Sequence, residues 1–145
     1  FACHLAGSRL IVVLGHTSCG AIKGACDRVE IGNLTELLSK IQPAVYEEHQ
    51  TSDPAARNSA NSAFVENVAS LNVRRSVAAI VNRSYILEHM IESGTVAIIG
   101  AKHDLSTGTV TFFDDTWVHD AASIRATSGR AAAGGASGPP PAERP

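Results

Sequence analysis

The run Leu10-Ile11-Val12-Val13-Leu14-Gly15-His16-Thr17-Ser18-Cys19-Gly20 constrains what this chain can fold into more than any other stretch. Its apolar, β-favouring start reads as a strand, and the small residues from Gly20 to Gly24 read as the opening of a helix. Between them a short loop carries a histidine and a cysteine. A strand that passes through a tight loop straight into a helix belongs to an open α/β sheet. In such sheets ligands bind beyond the carboxyl ends of the parallel strands, and His16 and Cys19 stand at one of those ends.

Imidazole nitrogen and thiolate sulfur are preferred zinc donors, and a His-x-x-Cys pair on one loop can bring both to a single ion. Two donors fill half of a tetrahedron. Gly15 and Gly20 bracket the pair and permit close approach of the backbone to a bound species. The competing reading makes Cys19 a small buried hydrophobe and His16 a hydrogen-bonded loop residue. A helix predicted from Gly20 to about Val29 puts free amides and a positive dipole end beside Cys19, which favours negative charge there. The glycines do not make a phosphate loop. Gly15 and Gly20 have the Walker spacing, but Ala21 and Ile22 occupy the places of the lysine and the hydroxyl.

Twelve basic residues against fourteen acidic ones, with a net charge of -2, argue against a nucleic-acid partner. No apolar run approaches the ~20 residues that span a bilayer. The three cysteines are odd in number and form no Cys-x-x-Cys pair, which points to reduced thiols and a cytoplasmic setting. Cys3 and Cys26 read as packing residues. Composition sets one domain over residues 1–121. Residues 122–145 end in clustered Gly and Pro with little apolar content and predict a disordered tail.

Between these limits, Asn33 is expected to cap a helix from Leu34 to Ile41, with Glu36 in the capping-box position and Leu34, Leu37, Leu38 and Ile41 as its packing face. Pro43 breaks or restarts that helix. A polar loop over residues 50–61 precedes a long helix from about Ser62 to Asn82. Phe64, Val68 and Leu71 form one stripe on it, and Val73, Val77, Ile80 and Val81 form another. The two stripes predict two contacts, one with the domain and one with a second subunit. Ser84 caps a further helix ending near Gly94, with Leu87 and Ile91 facing inward. Thr95 to Ala101 reads as a buried strand parallel to Leu10–Leu14, and Thr109 to Phe113 as its antiparallel hairpin partner. The expected fold is α/β, a mostly parallel sheet flanked by helices with a C-terminal antiparallel hairpin strand. His103, at the same sheet edge as His16, reads as a surface or pocket-lining residue; His49, His89 and His119 carry no ligand signal.

Leu10 to Gly24 closely resembles the second zinc-ligand segment of the β-class carbonic anhydrases. Gly32-Asn33-Leu34-Thr35-Glu36-Leu37-Leu38, Asn72-Val73-Arg74 and Ile98-Ile99-Gly100-Ala101-Lys102-His103-Asp104 with Gly108-Thr109-Val110 resemble the same family in the same order. The resemblance implies zinc-dependent, reversible hydration of carbon dioxide to bicarbonate. His16 and Cys19 would be two metal ligands, the backbone at Gly20 would border the substrate pocket, and the chain would form a homodimer or higher homo-oligomer. The family's other metal segment, a Cys-x-Asp-x-Arg on an earlier strand, is not in this sequence. Cys26-Asp27-Arg28 has the letters, but consecutive helical residues point about 100° apart and cannot meet on one ion. The chain is therefore expected to be an N-terminally truncated fragment without its catalytic Asp-Arg pair. Two other readings stand beside the enzyme: a non-catalytic relative that binds bicarbonate or regulates a fused transporter, and a generic α/β interaction domain.

Overall fold

The computed structural model describes residues 1–133, with side-chain surroundings described to residue 128. A turn at residues 1–7, closed by Gly7 at φ +76°, leads into β1 (Leu10–His16). There follow α1 (Gly20–Cys26), α2 (Gly32–Ser39), α3 (Gln42–Glu47), a 3-10 turn at Pro54–Ala56, α4 (Ser62–Arg83), α5 (Tyr85–Glu92), β2 (Ala97–His103), β3 (Val110–Val118) and α6 (Ala121–Ala133). No helix among the described residues is long and apolar enough to cross a membrane.

The three strands form a mixed sheet in the order β1-β2-β3. β1 and β2 are parallel, in register from Leu10 opposite Ala97 to His16 opposite His103, and β3 returns antiparallel to β2. This is the expected topology, with the strands displaced or lengthened. β2 starts two residues later than predicted, and β3 runs on to Val118 across an irregularity opposite Ile99. Thr116 repairs the irregularity: its hydroxyl accepts the Gly100 N–H at 2.7 Å and donates to the Phe113 carbonyl at 2.6 Å.

The 22-residue α4 crosses one face of the sheet. Its approach is set by glycine on two strands: a Cβ at Gly15 would lie 2.7 Å from Val73 Cγ2, and one at Gly100 would lie 2.8 Å from Val73 Cγ1. Only bare backbone fits there. The N-terminal half of α4 buries Phe64, Val65, Val68 and Ala69 against Ile22, Cys26, Leu38 and Val45. Its C-terminal half buries Val77 and Val81 against Ile91, Ile98, Val118 and Ile124. The second stripe of α4 thus packs within the same chain, not against a second subunit, because α5, β2, β3 and α6 wrap around it.

Four local expectations change. α1 stops at Cys26, since the Arg28 N–H bonds the Ala25 carbonyl and the Val29 N–H the Gly24 carbonyl, with Arg28 left-handed at φ +55°. α2 begins at Gly32, and Asn33 does not cap it: the N-cap position is Ile31, which offers no side-chain bond. Leu38 and Ile41 are buried, whereas Leu34 and Leu37 are 41% and 50% exposed, so only half of the predicted stripe packs. Residues 121–133 form a helix where composition predicts the start of a disordered tail, because Asp120 and Ser123 cap it and Ile124 enters the second core cluster. Residues 134–145 lie outside the described residues. Asn61 and Ser84 cap α4 and α5 through their side chains, Ser84 as expected.

The other face of the sheet is apolar, with Ile99 and Ala101 of β2 buried and the outer strands partly exposed. Leu10, Val12 and Leu14 are 51%, 41% and 54% exposed, and Val110 and Phe112 on β3 continue the same face. β1 is an edge strand.

Candidate metal-binding loop

His16 is the last residue of β1, and the loop Thr17–Cys19 is fixed on three sides. The Thr17 N–H extends the parallel ladder to the His103 carbonyl at 2.9 Å, and the Thr17 hydroxyl accepts the Leu105 N–H at 3.0 Å. Ser18 takes a left-handed conformation at φ +55°, and its N–H donates to Glu66 Oε1 at 3.0 Å. Cys19 then occupies the N-cap position of α1 in extended conformation, half-buried, with its carbonyl accepting the Lys23 N–H at 3.0 Å.

The His16 ring is held at one nitrogen. Nδ1 lies 2.9 Å from the Thr17 carbonyl, which can only accept, so Nδ1 carries the proton and Nε2 presents its lone pair. A neutral imidazole in this tautomer can offer Nε2 to a metal, with the second nitrogen oriented by a carbonyl. The ring is exposed at the strand end, and Gly20 opens α1 with nothing within 4 Å of where a Cβ would be. Open space therefore lies in front of the loop backbone.

His103 stands directly opposite His16 in the sheet register and is half-buried. The adjacent Asp104 accepts the N–H and hydroxyl of Ser106 at 2.8 and 2.7 Å. Those two bonds, with a smaller pull from His103, hold its carboxyl below the usual range. Asp104 thus shapes the turn that supplies the Leu105 N–H to Thr17. Cys26 lies in the first core cluster, where burial and then the Asp27 charge push its thiol up to about 11. Asp27 points elsewhere, accepting the Ser59 N–H at 2.8 Å. Among the described residues no three His, Cys, Asp or Glu side chains are grouped to hold a metal ion.

Sequence reasoning missed Glu66. Its two carboxylate oxygens hold the Ser18 N–H and, at 3.2 Å, the Lys102 ammonium. The only signal was a lone acidic residue in a stretch of α4 whose neighbours are apolar or amide. A groove of about 720 Å³ is lined by Pro43, Glu47, Arg74, Arg75, Asn82 and Asp115 among others. None of His16, Cys19 or Gly20 lines it, so the groove and the donor-bearing loop are separate features.

The sequence model of the carbonic anhydrase family, described as "Carbonic anhydrase", matches residues 1–110. A carbonic anhydrase of Mycolicibacterium smegmatis is 30% identical over 106 residues, covering 70% of this chain and 47% of the relative. Carbonic anhydrase 2 of Mycobacterium tuberculosis is 29% identical over 110 residues, covering 72% of this chain and 49% of the relative. The chain thus spans about half the length of the curated relatives it matches. Among solved structures, a Coccomyxa β-carbonic anhydrase in complex with acetazolamide superposes with a TM-score of 0.68 at 16% identity, over 94% of this chain and 62% of that one. A tetrameric β-carbonic anhydrase of Sordaria macrospora gives 0.62 at 24% identity, over 78% and 55%. With the His-x-x-Cys loop at the end of an edge strand and the family match running from residue 1 to the first residue of β3, the chain belongs to the β-carbonic anhydrase family.

Proposed function

We propose that this chain contributes His16 and Cys19 as two protein ligands of a zinc ion in a site for reversible hydration of carbon dioxide to bicarbonate, with the backbone at Gly20 bordering the pocket. Family membership supports the reaction class. The observation that carries the site is His16 itself: Nδ1 is engaged by Thr17, which leaves Nε2 free on the loop that bears a half-buried cysteine. In kind, imidazole and thiol fit zinc. In number they leave the sphere half filled, and the Cys-x-Asp-x-Arg segment expected upstream would supply the rest. Zinc, when bound, lowers the pKa of its water to about 7 and so provides hydroxide at neutral pH. This chain's own residues orient one imidazole, hold one thiol beside the start of α1 and keep the space before Gly20 clear. The Sordaria proteins are tetrameric by description, which supports a homo-oligomeric reading here.

Zinc stoichiometry and stopped-flow hydration test the proposal. Residues 1–145 alone should bind zinc weakly and show no hydratase activity. A chain extended upstream through a Cys-x-Asp-x-Arg strand should bind one zinc and turn over carbon dioxide, and should lose both on Cys19→Ala. Tight one-to-one zinc binding with rapid bicarbonate formation by residues 1–145, or an extended chain indifferent to Cys19→Ala, would overturn it. A second reading makes the chain a non-catalytic relative that binds bicarbonate or regulates a fused transporter. It predicts bicarbonate binding without turnover in the extended chain.

A further inference from the structure

We infer that Glu66 is a positioning residue for the His16–Cys19 loop, setting the direction of both donor side chains through the Ser18 peptide; the inference rests on the metal-binding reading of that loop. Ser18 holds a left-handed φ of +55° without being glycine. A non-glycine residue keeps such a conformation only where its surroundings over-determine it. Here the determinant comes from 48 residues away, as Glu66 Oε1 accepts the Ser18 N–H at 3.0 Å. A carboxylate is a stronger acceptor than a neutral oxygen.

The second oxygen fixes the first. Glu66 Oε2 takes the Lys102 ammonium at 3.2 Å, and Lys102 sits on β2 opposite Gly15, the residue before His16. One carboxylate therefore ties α4 and β2 to the loop apex between the two donors. The pair is about a quarter exposed on both sides, so it adds little to global stability. Its effect is concentrated on one peptide. If that peptide rotates, Cys19 turns away from the strand end that carries His16.

The test compares Glu66→Gln, which keeps an acceptor for Ser18, with Glu66→Ala, which keeps none. The readouts are amide hydrogen exchange at Ser18, the alkylation rate of Cys19 with Cys26 as internal control, and urea unfolding. Loss of a hydrogen bond to a charged acceptor should speed Ser18 exchange by about tenfold or more in the Ala variant. Cys19 alkylation should rise severalfold while Cys26 and the urea midpoint stay near the parent values, and Gln should restore at least part of both effects. Unchanged Ser18 exchange in the Ala variant, a Gln variant no better than Ala, or equal acceleration at Cys19 and Cys26 would overturn the inference. Zinc titration of His16→Ala and Cys19→Ala variants of the upstream-extended chain tests the metal reading alone, so failure of either idea is recognisable without the other.

Discussion

Two glutamates of this fold each hold a loop by its backbone N–H groups and each pair with a cation, yet they do different work. Glu48 is 1% exposed and its carboxylate accepts from Gln50 N, Thr51 N, the Thr51 hydroxyl, Asn67 Nδ2 and Arg57 Nη1. Arg57 continues to the carbonyls of Val45, Glu48 and Thr51 and stacks over Phe64. The bonds of that cluster run within the segment from Val45 to Arg57 and across to Asn67 of α4. Glu66 holds one N–H and one ammonium at a half-open edge, and the loop it fixes turns an imidazole outward. The first arrangement uses a buried charge to close a long loop. The second uses a partly solvated charge to aim two side chains, at little cost in desolvation.

The contrast is broken or sharpened by graded substitutions. Arg57→Ala leaves the Glu48 charge buried without its partner and should cost about 3–5 kcal/mol in urea unfolding. If the cost falls below that of Glu66→Ala, the distinction between the two clusters fails. Gly100→Ala pushes a methyl into Val73 and should cost about 1–3 kcal/mol, displacing α4 and with it Glu66. Pairing it with Val73→Ala should recover part of the loss and restore slow Ser18 exchange. Glu66→Ala itself should cost less than about 1 kcal/mol.

Smaller still are the pH effects. The Ser59 hydroxyl and N–H hold the Asp27 carboxyl below its usual range. Its contribution is present above an unfolded pKa of ~3.9 and is lost as pH falls through the lower folded value, so it should appear as a shallow acid decline below about pH 4. Urea midpoints across that range should flatten in Asp27→Asn. At the alkaline end the raised Cys26 thiol works in the opposite sense: the unfolded chain ionises from ~8.5, the folded one at about 11, and stability should decline between them. Cys26→Ser or Ala should remove that slope, and Cys26 should resist alkylation at pH 7 where Cys19 reacts.

The parts of the fold that sequence makes legible are those written in neighbouring residues. The strand Leu10–Leu14, the Ser84 cap and the hairpin through Gly108 each carry a local pattern of burial or turn chemistry, and all are present. The same logic went astray where local patterns compete with distant packing. Gly32 at φ +46° starts α2 before Asn33 can cap it, and the apolar Leu34 and Leu37 find no cover among the described elements. The second stripe of α4 reads as a subunit contact because α5, β2, β3 and α6, which bury it, come later in the chain. At the loop, His16 and Cys19 stand out by type and spacing. Glu66 does not, because its partner lies 48 residues away and leaves no periodic trace.

The outer flank of β1 has a practical consequence of its own. A row of exposed leucine and valine side chains beside ladder groups at a sheet margin is a template for strand addition, and no charge on Leu10, Val12 or Leu14 guards it. Preparations of residues 1–145 should therefore precipitate in a concentration-dependent way. A single lysine in place of Val12 should keep them dispersed while leaving the α4 side of the sheet untouched.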